Sequence, residues 1–201
     1  MEEIKEAIKI LRQGGIVIYP TDTAYGIGCR IDLPDSVQKL FKLRKRPLTQ
    51  ATPVLVDSIR MAQDYLFYPI SDIVRHIIKD YWPGALTIVL PGKTDLIPPP
   101  VRGNGKNIGF RIPDHEIALR LISGVGVPIL GPSANLHGQA TPYRFEDIDK
   151  LLVKKVDYVL FGKCKAGNVS TVIDCSGEKW KILRQGAVRI SEKYAKRYTI
   201  Y

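Results

Sequence analysis

The 201-residue chain has few of the features that mark several large protein classes. Its three cysteines, Cys29, Cys164 and Cys175, are an odd number with no C-x-x-C pair, so neither a disulfide framework nor a structural zinc site is expected. The thiols read as reduced and mostly buried. No apolar run approaches the roughly 20 residues that a membrane span needs, and Met1-Glu2-Glu3 is acidic where a secretory signal is basic. The expected location is the cytoplasm, away from membranes. Neither G-x-x-x-x-G-K-[ST] nor G-x-G-x-x-G occurs, so a nucleotide would have to be held by another geometry. Acid is scarce relative to base: 20 Asp and Glu face 30 Lys and Arg, and the net charge of +10 favours phosphate, nucleotides, nucleic acid or anionic lipid as partners.

What is present is ordinary globular composition, 45% hydrophobic and 25% charged, with helical and strand periods interleaved. Ile4, Ala7, Ile8 and Leu11 share one helical face, and Gly14-Gly15 stops that helix before the strand 16–19. Pro34 opens a second helix with Val37, Leu40 and Phe41 inward, expected to end near Arg46 because Pro47 disfavours helix in the residue before it. Strands are expected at 53–56, 86–90, 108–112, 158–161, 171–174 and 182–183, with a short one leading into Gly131. Further helices are expected after Ser71 and near 116–122. Pro98-Pro99-Pro100 with Gly103 and Gly105 reads as the most loop-like stretch, and a mobile one. The fold class that follows is α/β: one domain over residues 1–190 with a mixed, twisted open sheet flanked by helices around a basic concave cleft. Residues 191–201 form a basic and aromatic tail (Lys193, Tyr194, Lys196, Arg197, Tyr198, Tyr201) expected to dock on that domain.

Several clusters of residue types bear on chemistry. Gly131-Pro132-Ser133-Ala134-Asn135 follows a strand like a nucleophile elbow, but its last position is Asn, and the one histidine that follows, His137, is too near in sequence to act as an independent base. Hydroxyl, amide and backbone N–H groups at such a turn suit phosphate oxygens better. Thr21-Asp22-Thr23 stands at the end of a buried strand, where open α/β sheets place ligands, although a simple turn explains it too. Lys42, Arg44, Lys45 and Arg46 form a basic run closed by Pro47, which is either a solvated helix face or a phosphate clamp. Arg111 lies between apolar neighbours, so it either pairs with an acid or points into a cleft. His76 reads as a surface residue and His115 as a helix-start residue, neither with a metal-ligand partner in spacing.

Taken in order, these pieces resemble the YrdC-like family of threonylcarbamoyl-AMP synthases, over roughly residues 10–187. The motifs are Pro20-Thr21-Asp22-Thr23-Ala24-Tyr25-Gly26-Ile27-Gly28, Arg46-Pro47, Trp82-Pro83-Gly84-Ala85-Leu86-Thr87, Arg111 before Pro113, Pro132-Ser133-Ala134-Asn135, Ser170-Thr171-Val172-Ile173-Asp174 and Leu183-Arg184-Gln185-Gly186. The resemblance implies that L-threonine, bicarbonate and ATP are joined into threonylcarbamoyl-AMP and pyrophosphate, for a downstream transferase that modifies an adenosine of tRNA. It implies that Thr21, Arg111 and Ser170 contact threonine or its carbamate, that Arg46, Ser133, Asn135, Thr141 and Arg184 contact ATP, and that Mg2+ arrives on the ATP phosphates. No protein metal ligand is implied. The nucleophile then comes from the substrates, so the protein's task is to align two anions and offset their repulsion.

The chain departs from the family at four places. Where the family reads Lys-x-Arg-Pro this chain reads Arg44-Lys45-Arg46-Pro47, so the catalytic cations implied are Arg46 with either Arg44, which keeps the family offset, or Lys45. The stretch 49–52 is about two residues longer than usual, by the pattern of loop lengths. Asp57 and His137 replace a common histidine and serine. These changes suggest a second expectation, a YciO-like RNA-binding protein, for tRNA or double-stranded RNA, without synthase activity.

Overall fold

The computed structural model describes residues 2–67, 69–165 and 167–196, the side chains of 195 and 196 excepted. In chain order the elements are α1 (Glu2–Arg12), β1 (Val17–Tyr19), β2 (Gly26–Gly28), α2 (Pro34–Leu43), β3 (Val54–Leu55), α3 (Ile59–Asp64), α4 (Asp72–Tyr81), β4 (Leu86–Pro91), β5 (Asn107–Arg111), α5 (Glu116–Val125), β6 (Ile129–Leu130), α6 (Lys150–Val153), β7 (Tyr158–Val159), β8 (Thr171–Asp174), β9 (Lys181–Arg184) and α7 (Lys193–Lys196). Single 3-10 turns cover Pro99–Arg102 and Phe145–Asp147.

The strands do not join one sheet, as the sequence suggested, but two: β2-β1-β7 and β6-β3-β5-β4-β8-β9, each mixing parallel and antiparallel pairs. Alternation along the first strand explains the division. Ile16 and Ile18 enter the larger core with α2, α4 and the inner face of the six-stranded sheet, while Val17 and Tyr19 enter a second core with α1 and α5. A strand buried on both faces sits between layers, not at a sheet edge. Isolated bridges at Gly26–Ser133 and Arg30–Ile129 cross the seam between the two sheets.

The six-stranded sheet has two unlike faces. Leu86, Ile88 and Leu90 of β4, Ile108 and Phe110 of β5 and Ile173 of β8 are core. Their alternates Thr87 and Val89, Asn107, Gly109 and Arg111, and Val172 and Asp174 line an open cavity. The period of two in a strand makes this separation automatic once one face is buried.

Helix α2 ends earlier than expected. Arg44 caps it, Lys45 takes a left-handed conformation (φ 53°), and the Arg46 N–H donates to the Phe41 carbonyl at 2.9 Å while the Lys45 N–H donates to Lys42. This pair of bonds is a Schellman motif. It usually marks its turn with glycine, and this chain has lysine there. The proline-rich stretch is likewise more ordered than its composition suggests: Val101 is fully buried, its carbonyl accepts from the Thr52 N–H, and Gly103 (φ 57°) lies so close that a Cβ would be 2.7 Å from the Ala51 nitrogen. Helices α3 and α6 went unread because each is one or two turns. They are held by Ser58 and Asp149, whose side chains accept N–H groups at the helix starts.

Of the three thiols only Cys29 is buried, while Cys164 and Cys175 are half-buried. The tail docks at its start: the Tyr194 hydroxyl and the Lys193 ammonium both reach an Asp80 oxygen at 2.6 Å, and the Trp180 indole donates to the Tyr194 carbonyl. Contacts thus run past residue 190 without a break. The Lys196 side chain, Arg197, Tyr198 and Tyr201 lie outside the described residues.

Candidate active site

The cavity between the two sheets has a volume of about 550 Å³, the size of a small-molecule site. Thr21, Arg44, Arg46, Arg111, Ser133, Ser170 and Arg184 all line it, although they come from segments spread over the chain. Lys45, Asn135 and Thr141 do not. Lys45 is exposed because the left-handed turn swings it outward between two inward arginines, so the lining cations of the basic run are Arg44 and Arg46.

Arg44 is 3% exposed, and every partner it has is neutral. Its Nε donates to the Asn135 carbonyl at 2.9 Å and its Nη2 to Asn135 Oδ1 at 3.1 Å, while Nη1 is buried without a partner. Burial and the charge of Arg46 push its guanidinium down to about 10, which still leaves a cation at neutral pH. Arg46 is held only by backbone carbonyls, those of Gln50 and Ala51 at 3.1 and 2.5 Å. Two cations therefore stand at one wall with no carboxylate bound to either.

Arg111 is built differently. Its Nη2 meets Asp22 Oδ1 at 2.5 Å, Nη1 donates to Thr23 Oγ1 at 2.8 Å and Nε to the Gly84 carbonyl at 2.9 Å. Both alternatives left open by the sequence hold at once, since the residue pairs with an acid and lines the cavity. Asp22 was not singled out as a site residue, and a lone acid in a turn carries no signal that its partner lies 89 positions away. The Thr21 hydroxyl is occupied within its own turn, donating to the Ala24 carbonyl at 2.7 Å and accepting from the Thr23 and Ala24 N–H groups.

On the opposite wall, Arg184 donates from Nε and Nη2 to the Ser170 carbonyl, at 3.1 and 2.9 Å, and from Nη2 to its hydroxyl at 3.1 Å. Ser170 Oγ also lies 3.0 Å from Thr87 Oγ1. In the turn at Ser133 two N–H groups are already taken, that of Ala134 by the Tyr25 carbonyl and that of Asn135 by the Ser133 carbonyl. The Ser133 hydroxyl donates to Asn135 Oδ1 at 2.6 Å. Thr52, which sequence reasoning missed, is 2% exposed in the cavity wall with its hydroxyl unpartnered.

Among the described residues Asp174 is the one carboxylate in the lining, and its Oδ1 already accepts from Ser176. No histidine or cysteine among the described residues lines the cavity. Among the described residues no three His, Cys, Asp or Glu side chains are grouped to hold a metal ion, and no helix is long and apolar enough to cross a membrane. Such a cavity can gather and orient anions, and it offers no acid-base pair for proton transfer. Of the four departures from the resemblance, Arg44 and the stretch ending at Thr52 reach the cavity, whereas Asp57 and His137 do not.

The Sua5/YciO/YrdC family, described as telomere recombination, matches residues 9–186. A Bacillus subtilis protein named threonylcarbamoyl-AMP synthase is 35% identical over 190 residues, which are 92% of this chain and 54% of the relative. A Methanocaldococcus jannaschii protein named as a putative threonylcarbamoyl-AMP synthase is 33% identical over 95% of this chain and 91% of its own length. Among solved structures, Pyrococcus abyssi Sua5 complexed with L-threonine superposes with a TM-score of 0.87 at 29% identity, covering 98% of this chain and 57% of that one. Escherichia coli YciO superposes with a TM-score of 0.83 at 28% identity, covering 95% and 91%. The chain thus spans just over half the length of its Bacillus and Pyrococcus relatives. By sequence over residues 9–186 and by fold over nearly all of its length, this chain belongs to the Sua5/YciO/YrdC family.

Proposed function

We propose that the chain is an L-threonylcarbamoyl-AMP synthase, forming threonylcarbamoyl-AMP and pyrophosphate from L-threonine, bicarbonate and ATP. The observation that carries this reading is the unequal treatment of the arginines. Arg111 is neutralised by Asp22 and suits a single carboxylate, whereas Arg44 and Arg46 keep their charge in a site partly closed to water, which suits a polyphosphate. The names of the Bacillus and Pyrococcus relatives support it, as does the threonine bound to Pyrococcus Sua5.

On this reading the threonine amine and bicarbonate lose water to give a carbamate, whose oxygen attacks the α-phosphorus of ATP as the bond to pyrophosphate breaks. Arg111 and Ser170 orient the amino acid, with Thr21 shaping the turn beside them. Arg46, Arg44, Ser133 and Arg184 hold the phosphates, and Arg46 and Arg44 stabilise the charge gathered at phosphorus. Mg2+ would ride on the phosphates, since Asp174 alone could not hold it. A downstream transferase would consume the product at an adenosine of tRNA. Incubating the protein with threonine, bicarbonate, magnesium and ATP should release pyrophosphate and threonylcarbamoyl adenylate.

The basic cavity and the net charge of +10 are the observations behind a second reading, a YciO-like protein that binds tRNA or double-stranded RNA without synthesis. Salt-sensitive RNA binding together with no adenylate in that incubation would favour it.

A further inference from the structure

Asn135 does not line the cavity, yet two of its three neighbours in the hydrogen-bond network, Ser133 and Arg44, do. Its Oδ1 accepts from the Ser133 hydroxyl at 2.6 Å and from Arg44 Nη2 at 3.1 Å, its main-chain carbonyl accepts from Arg44 Nε at 2.9 Å, and its Nδ2 donates to the Gln139 carbonyl at 2.6 Å. The orientation of the amide is fixed by chemistry: a guanidinium only donates and a carbonyl only accepts, so oxygen must face Arg44 and nitrogen must face Gln139. Both acceptor positions of Oδ1 are then taken. One residue clamps one edge of the Arg44 guanidinium and leaves Nη1 unpartnered.

The clamp is also uncharged. An aspartate could accept from the same Arg44 and Ser133 atoms and would form an ion pair, as Asp22 does with Arg111 in the same cavity, while losing the bond to the Gln139 carbonyl. A neutral acceptor fixes the direction of Arg44 without cancelling its charge. The main chain closes the arrangement, because the His137 N–H donates to the Arg44 carbonyl at 2.8 Å and the turn of residues 133–139 wraps the arginine.

We infer that Asn135 is a positioning residue, which aims Arg44 and Ser133 together into the cavity and preserves the Arg44 charge for a polyphosphate, and is not itself a contact of the nucleotide. This deepens the synthase reading and rests on it for the identity of the polyphosphate. The experiment reads binding of inorganic pyrophosphate by calorimetry, separately from turnover, on the full chain and on Asn135→Asp, Asn135→Ala, Arg44→Ala and the double variant Asn135→Ala/Arg44→Ala. Asn135→Asp should bind pyrophosphate about tenfold or more weakly at pH 7, and lowering the pH through the carboxylate range should restore much of the affinity relative to the unchanged protein as the introduced carboxylate becomes neutral. Asn135→Ala should weaken binding in the parent and add little in the Arg44→Ala background. If Asn135→Ala fails to fold, Asn135→Asp made in the Arg44→Ala background carries the test, since the acid-recoverable loss should vanish once the charge that the carboxylate cancels is gone.

Full additivity of the Asn135 and Arg44 effects, or an Asn135→Asp defect that does not recover with acid, would overturn the inference. So would pyrophosphate binding that ignores Arg44→Ala. A protein that binds pyrophosphate through Arg44 but makes no adenylate would sink the synthase reading and leave the positioning role to be decided by the same cycle.

Discussion

Arg111 Nη2 and Asp22 Oδ1 lie 2.5 Å apart, with both side chains about 7% exposed, and they bring a strand of one sheet against the turn that follows a strand of the other. Removing one member of such a pair leaves a charge buried without its partner. Asp22→Ala should therefore destabilise the fold by about 3 kcal/mol, the low end for broken buried pairs because Arg111 also faces the cavity. It should raise the KM for threonine more than that for ATP. Denaturant unfolding with substrate titrations checks both, and an unchanged threonine KM would remove Arg111 from the amino-acid site.

The basic run should divide sharply. Alanine at Arg46 or Arg44 should lower turnover by roughly a hundredfold to a thousandfold, or about 2.7–4 kcal/mol, as for loss of a preorganised charge at the reacting group. Lys45→Ala should leave turnover nearly intact, with a small effect that salt screens. Turnover at low and moderate salt separates the two patterns, and a large Lys45→Ala defect would contradict the outward turn.

Lys45 also yields a stability prediction. A side chain in the left-handed region is strained relative to glycine, so Lys45→Gly should stabilise the fold by up to about 1 kcal/mol, less the added entropy of the unfolded chain. Thermal unfolding at matched pH measures it, with activity unchanged.

Docking of the tail should respond to acid. Hydrogen bonds from Lys193 and Tyr194 hold the Asp80 carboxyl below its ordinary value, so the stabilisation is complete above the unfolded carboxylate range near 4 and is lost as pH falls through the lowered folded value. Trp180, bonded to the Tyr194 carbonyl, reports on the contact. Its emission should be flat from pH 7 to about pH 4 and shift only below that, while Asp80→Asn should shift it already at neutral pH.

The thiols should be bystanders. Burial pushes Cys29 and Cys175 up to about 12, the charge of Asp32 adding at the first and that of Asp174 at the second, so neither is a thiolate at neutral pH. Cys175→Ser and His76→Ala should keep turnover within about twofold, since neither residue reaches the cavity. Mapping of alkylation sites at pH 8 should find both cysteines unmodified in the folded protein.

The order of the elements was legible because helical and strand periods are local, and most of the cavity residues were legible because their motifs sit at strand ends, Arg44 and Arg46 instead following the end of α2. The two-sheet division was not. Strand pairing is a long-range choice, and the sequence of 16–19 states only that both of its faces are apolar. The end of α2 was misplaced because a Schellman turn with lysine lacks the glycine that announces it. Thr141 and Asn135 are tied to ATP by the family resemblance alone, and a resemblance does not say whether a side chain reaches the ligand or another side chain. The acid partner of Arg111 and the unpartnered Thr52 hydroxyl were invisible for the same reason.

Gly109 sits on the cavity floor between Thr87, Val89 and Pro53, and a Cβ there would come within 3.0 Å of Thr87 Cγ2. At this point the room in the site depends on a missing side chain rather than on any group that attracts a ligand. A chain carrying alanine or valine at this position would keep every cation and lose room, so that attraction and accommodation could be varied independently. Selection for bulkier or smaller occupants could then proceed at the floor while the charged walls stay as they are.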